Sequence, residues 1–172
     1  QAGINLDYHC YEPRAFVAPG WDNCVRANQM VWPNFVDQNG QKWNMEKVYQ
    51  TYIKPWEDLA EQYGVGIKLG ECGIFVDTAE FSKSPYQRKY VLAWAKDFAT
   101  VMQKHHKSYV VGKYAGNEGI CSVLKDSLPE KDNIGAYIQN AKYVKKTYTN
   151  DKYTATYYVN QELVKALFGK NS

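Results

Sequence analysis

Three side chains stand out for what they could do chemically: Glu71, His9 and Tyr11. Glu71 lies in Leu69-Gly70-Glu71-Cys72-Gly73, at the carboxyl end of a short apolar run. Glycines on either side leave room beside the carboxylate. In parallel α/β folds that end of a strand is where ligands bind. The alternative is a strand-end glutamate facing solvent. His9 and Tyr11 are two residues apart, so on a strand both point to the same face. An imidazole and a phenol placed together can hydrogen-bond a ligand or orient a carboxylate. The alternative for His9 is a satisfied structural histidine. Nearby Asp7 and Glu12 read as solvated or capping carboxylates.

A second group is aromatic. Phe16, Trp21, Trp32 and Trp43 lie in or at the end of one long irregular stretch. Flat aromatic faces can stack on the apolar faces of sugar rings, and the same rings can anchor a loop by packing on one another. Other candidates are weaker. His105 and His106 are adjacent, a poor geometry for a shared metal, and read as surface residues. Gly64-Val65-Gly66 lacks the spacing of a dinucleotide loop, and no phosphate loop or Gly-x-Ser-x-Gly elbow is present. No cofactor is expected. No Cys-x-x-Cys pair exists among Cys10, Cys24, Cys72 and Cys121, so no metal site is expected either. Those cysteines are free buried thiols or form one or two disulfides. Cys72 is read as core, not as a nucleophile.

The elements that must position these residues alternate. Ile4 to Tyr11 reads as a strand, with Ile4, Leu6 and Tyr8 on one side, ended by Pro13. Arg14 to Lys42 reads as loop. Asn44 to Tyr63 carries Met45, Val48, Tyr49, Tyr52, Trp56, Leu59, Ala60 and Tyr63 at helical steps, with a kink or break expected at Pro55. Val65 to Phe75 reads as a buried strand. Ser84-Pro85-Tyr86-Gln87 opens a helix that turns Tyr90, Trp94, Phe98 and Val101 inward. Ser108 to Tyr114 reads as a third strand, Asn133 to Tyr148 as a helix, and Asn160 to Phe168 as a closing helix stopped by Gly169.

Strand, helix, strand, helix, strand, helix predicts an α/β fold with a parallel sheet. The 172 residues fit a single domain, with 45% hydrophobic and 23% charged residues. A net charge of +3 with no basic block gives no reason to expect a nucleic-acid partner. No apolar run approaches the roughly 18 residues of a membrane helix, so no membrane partner is expected. The chain starts at Gln1, which reads as a processed protein or a piece of a larger one.

Asp7 to Phe16, Asp-Tyr-His-Cys-Tyr-Glu-Pro-Arg-Ala-Phe, resembles the His-x-Tyr-x-Pro-x-x-Phe motif of glycoside hydrolase family 5, the cellulase and mannanase family built on (β/α)8 barrels. Trp43 through Gly73 resembles the next block: a helix, a Tyr-Gly-Val-x-Ile segment, then Gly-Glu-x-Gly. Ala115 to Ser127 loosely resembles the block of the eighth strand, and Gln161 to Val164 the final helix. The resemblance implies the last three units of such a barrel, with strands near 4–11, 66–75 and 108–114. A whole barrel takes about 250 residues, so an amino-terminal portion, or another chain, would be missing.

The resemblance also implies roles. Glu71 corresponds to the nucleophile of a retaining β-glycanase, Tyr11 to the tyrosine that holds it, and His9 to a histidine lining the cleavage subsite. Trp21, Phe16, Trp43 and Tyr114 would line sugar subsites. The substrate would be β-glucan or a related polysaccharide, and the protein extracellular. The chain departs from the family in three ways. It contains no Asn-Glu-Pro general-acid motif, since Asn117-Glu118-Gly119 is not one. It has cysteines at two positions that are usually aromatic, Cys10 and Cys72. It also lacks the eighth-strand tryptophan, with Gly112 at that position and Tyr114 nearby. A non-catalytic carbohydrate-binding or self-assembling protein derived from such a barrel is the other reading. An unrelated small α/β protein is a third.

Overall fold

In the computed structural model, residues 3–18, 31–74, 85–111, 121–122 and 143–169 are described. The first strand, β1 (Asn5–Cys10), ends before Pro13, which heads a single helical turn, α1 (Arg14–Val17). The Glu12 carboxylate accepts from the Arg14 backbone N–H at 2.7 Å and so caps that turn. Where the sequence suggests only loop, a small antiparallel hairpin also forms from β2 (Phe35–Val36) and β3 (Lys42–Trp43). Asp37 builds its turn. It accepts from the backbone N–H groups of Asn39 and Gln41 and from the Trp43 indole at 2.8 Å.

The expected helix begins at Asn44, whose side chain caps the Lys47 N–H. It runs as α2 (Met45–Val48), a π-helical segment over Tyr49–Ile53, and α3 (Lys54–Tyr63). The irregularity lies just before Pro55, where a proline cannot donate to the helix. It also rotates the apolar face. Val48, Tyr49 and Ile53 are buried, but Trp56 and Tyr63 are exposed, contrary to an unbroken helical period. Gly64, at φ 60°, ends α3 in the left-handed conformation that glycine adopts without strain.

Next come β4 (Gly66–Cys72), α4 (Pro85–Lys104) and β5 (Tyr109–Val111). Strands β1, β4 and β5 form one sheet in the order β1-β4-β5, both pairings parallel. The architecture is α/β, with parallel strand–helix units as the sequence implies. Helix α4 buries Val91, Trp94, Ala95, Phe98 and Met102, and the Trp94 and Phe98 rings stack at 5.2 Å. The Trp32 indole donates to Asp97 of α4 at 2.9 Å, tying the irregular stretch to this layer.

The segment expected as a helix over Asn133–Tyr148 is different where it is described. Tyr143–Thr149 is a strand, β7. It pairs antiparallel with β8 (Thr154–Asn160), which also pairs with a two-residue β6 (Cys121–Ser122). Asn150 caps the connecting turn by accepting from Lys152 and Tyr153 N–H. Residues 133–142 lie outside the described residues. The closing helix α5 (Gln161–Phe168) forms as expected, capped by fully buried Asn160 and ended by Gly169 at φ 66°. It packs on α4, and Leu163, Val164 and Leu167 join the same core as Phe98 and Leu69.

The helices cover one face of the parallel sheet, against Tyr8, Cys10, Leu69 and Cys72. On the other face Asn5, Asp7, His9 and Lys68 are exposed, as is Val110 of β5. Parallel sheets are ordinarily covered on both faces. Here the second face is polar and open among the described residues.

Candidate active site

The open face carries the site. His9 and Glu71 are direct neighbours across β1 and β4, near the carboxyl ends of both strands. His9 Nδ1 lies 2.9 Å from Glu71 Oε2, and both side chains keep solvent access, at 59% and 40% exposed. A carboxylate can only accept, so Nδ1 carries the proton and donates. The Tyr11 phenol bonds the same carboxylate. Burial, then the hydrogen bond to Glu71 and its charge, raise the Tyr11 pKa well above the ordinary phenol value. Tyr11 therefore remains a neutral donor. Two donors on neighbouring sites thus converge on one accessible carboxylate.

Strict alternation does not produce this arrangement. Leu69 faces the helices, so a regular strand would turn Glu71 to the helices as well. The pairing instead shifts by one residue: Tyr8 faces Leu69, but His9 faces Glu71. The same extra residue shows against β5, where Leu69 faces Tyr109 and Cys72 faces Val111. Gly70 is the inserted residue of a β-bulge. Leu69 and Cys72 both return to the buried side, at 2% and 0% exposed, with Gly70 and Glu71 between them.

The neighbouring carboxylates are engaged elsewhere. Glu12 caps α1. Asp7 meets Lys68 Nζ at 3.5 Å. Cys10 and Cys72 face one another in register and are free thiols, both buried. Burial, followed by the Glu12 charge, pushes the Cys10 thiol up to about 12. The Cys72 thiol is raised too, chiefly by burial, and donates to the Val110 carbonyl at 3.3 Å. Neither is a thiolate nucleophile at neutral pH. Among the described residues no group of three His, Cys, Asp or Glu side chains could hold a metal ion, and no helix is long and apolar enough to cross a membrane.

The aromatic candidates separate. Phe16 is 2% exposed and packs against Trp32 and Phe35, at 5.2 and 5.3 Å between ring centres. Trp43 is 6% exposed, stacks on Tyr52 at 5.4 Å and donates its indole N–H to Asp37. Both rings are parts of the core that anchors the irregular stretch. Trp21 and Tyr114 lie outside the described residues, as does Gly112. His105 is half-buried, stacked on Tyr49 at 3.8 Å and 3.3 Å from Glu46, while His106 is exposed. The sequence suggests Gly70 only as room beside the carboxylate and Asp7 only as solvated or capping; the bulge at Gly70 and the pairing of Asp7 with Lys68 are unanticipated. The one signal for them in the sequence is the glycine interrupting an apolar strand, a mark of a bulge or of close approach.

No protein-family model matches the sequence, and no curated protein matches it significantly. A solved structure described as "Crystal Structure of a glycoside hydrolase" is similar at a TM-score of 0.58 and 23% identity, over 96% of this chain and 41% of that one. Another, described as "endoglucanase", is similar at a TM-score of 0.46 and 24% identity, over 66% of this chain and 33% of that one. The fold is glycoside hydrolase-like, and the chain spans 41% of the length of the first of these structures.

Proposed function

We propose that this chain is the carboxy-terminal portion of a retaining endo-β-glycanase resembling glycoside hydrolase family 5, and that Glu71 is its nucleophile. The observation that carries this reading is the accessible Glu71 carboxylate, held by His9 Nδ1 at 2.9 Å and by the Tyr11 phenol at the carboxyl ends of parallel strands. A carboxylate oxygen fixed in this way is aimed without being neutralised. It attacks the anomeric carbon of a β-linked sugar, the bond to the leaving oxygen breaks, and a general acid gives that oxygen its proton. The same group then takes a proton from water, the water oxygen attacks the anomeric carbon, and Glu71 is released.

Retention needs the second carboxyl group about 5–5.5 Å away. Asp7 and Glu12 are otherwise engaged, and the sequence has no Asn-Glu-Pro. The family resemblance assigns the acid to an amino-terminal barrel portion, on the same polypeptide or on a second chain. That portion would also cover the open polar face, which in a closed barrel is the interior. The substrate is β-glucan or a related polysaccharide, and a polymeric substrate favours an extracellular site of action.

The test is hydrolysis of soluble β-glucan by the chain reconstituted with its amino-terminal portion. Glu71→Gln should abolish it, by at least about 10⁴-fold. Unchanged hydrolysis would refute the assignment. The absence of an Asn-Glu-Pro motif from the sequence favours a second reading, a non-catalytic carbohydrate-binding or self-assembling protein of the same fold. Calorimetry with β-glucan oligosaccharides separates the two: binding without turnover in the reconstituted particle supports the second.

A further inference from the structure

Gly70 is the residue on which the orientation of Glu71 turns. A Cβ built there would overlap the Asp7 carboxylate, coming within 2.6 Å of Oδ2 and 2.5 Å of Cγ. The Asp7 side chain is about half exposed, and Lys68 Nζ lies 3.5 Å from its Oδ2. The seat a side chain would take at the inserted position is therefore already filled by a charged group from the neighbouring strand. The backbone of Gly70 is not in the left-handed region, so the requirement for glycine here is space and not φ.

We infer that Gly70 is a positioning residue for Glu71: its missing side chain gives the Asp7 carboxylate its seat, and the bulge formed there turns Glu71 to the open face beside His9. A side chain at position 70 expels Asp7 or presses β4 into regular pairing. Regular pairing moves every following side chain to the opposite face. Glu71 would then turn toward the helices and leave His9, and Cys72 would turn out of the core. This inference rests on Glu71 being the reactive carboxylate, but its signals are read on this chain without substrate. Its failure is thus distinguishable from a failure to hydrolyse glycans.

The experiment is a cycle of Gly70→Ala, Asp7→Ala and the double variant, with two measurements on each. The first is the tautomer of neutral His9 from its ring nitrogen-15 shifts, since an acceptor at Nδ1 selects the proton there. The second is the rate of Cys72 alkylation, mapped by mass spectrometry. The wild type and Asp7→Ala should show Nδ1–H and a protected Cys72. Gly70→Ala should lose the Nδ1–H preference and alkylate Cys72 at least about tenfold faster, because exposed thiols react where buried ones are inert. The double variant, with the seat vacated, should return to the wild-type pattern. A folded Gly70→Ala with both signals unchanged would overturn the inference, showing that Asp7 swings aside at no consequence. So would a double variant that fails to fold or behaves no better than Gly70→Ala.

Discussion

His9 Nδ1 and the Glu71 carboxylate meet at 2.9 Å across two parallel strands, and they do so only because β4 carries one residue more than β1 between the paired positions. The contact joins residues distant in sequence through a local irregularity. A single inserted glycine thus decides whether the carboxylate belongs to the open face or to the core.

The phenol on the same carboxylate predicts a split in kinetics. Tyr11→Phe removes one hydrogen bond to a charged group, worth about 1.5–3 kcal/mol. In the complete enzyme kcat should fall about 10- to 100-fold with KM little changed, because the bond aims the carboxylate and does not hold the sugar. Steady-state kinetics on a soluble glucan checks this. A change confined to KM would place Tyr11 in substrate binding instead.

Asp37 predicts a pH-dependent stability. Burial raises its pKa, but the Trp43 indole and the Gln41 and Asn39 N–H groups, with the Lys47 charge, lower it further, so the net shift is downward from 3.8. A carboxyl group with a depressed folded-state pKa stabilises the fold fully above its unfolded value and loses that contribution as pH falls through the folded value. The gap in melting temperature between wild type and Asp37→Ala should be open near pH 6 and close as pH drops below 3.8. A gap that persisted undiminished in acid would contradict the charge-based account of this turn.

Two helix caps should differ in cost. Asn160 is fully buried and accepts from the Leu163 N–H at 3.0 Å, whereas exposed Asn44 accepts from Lys47 at 2.9 Å. Loss of an N-cap costs about 0.5–2 kcal/mol, and leaving a buried group unsatisfied adds to it. Asn160→Ala should fall at or above the upper end of that range and Asn44→Ala toward the lower end. Urea unfolding of both variants tests the order.

Much of this fold is legible in the sequence. Its parallel strand–helix alternation, the cap at Asn44 and the stop at Gly64 follow from periodicity and punctuation. Tertiary pairing decides the rest. Tyr143–Thr149 becomes a strand because Thr154–Asn160 supplies a full ladder partner across an Asn150 turn, a long-range pairing that the helix expected over Asn133–Tyr148 does not take into account. The irregular stretch reads as loop because β2 and β3 are two residues each and depend on Asp37, not on a run of strand formers. The apolar face of α3 is misread because a π-helical insertion shifts the period within one helix. At the site, the types and the shared face of His9 and Tyr11 are visible from spacing. The orientation of Glu71 is not, since alternation from Leu69 points it the wrong way and only the bulge at Gly70 corrects it.

The most direct test of the central claim is covalent trapping. The native particle, with all its chains, would be incubated with a 2-fluoro β-glycoside that forms a long-lived glycosyl-enzyme, and the labelled peptide identified by mass spectrometry. The account predicts one glycosyl group, on Glu71. A particle that hydrolyses β-glucan but carries the label on another carboxylate, or forms no covalent adduct at all, would contradict it.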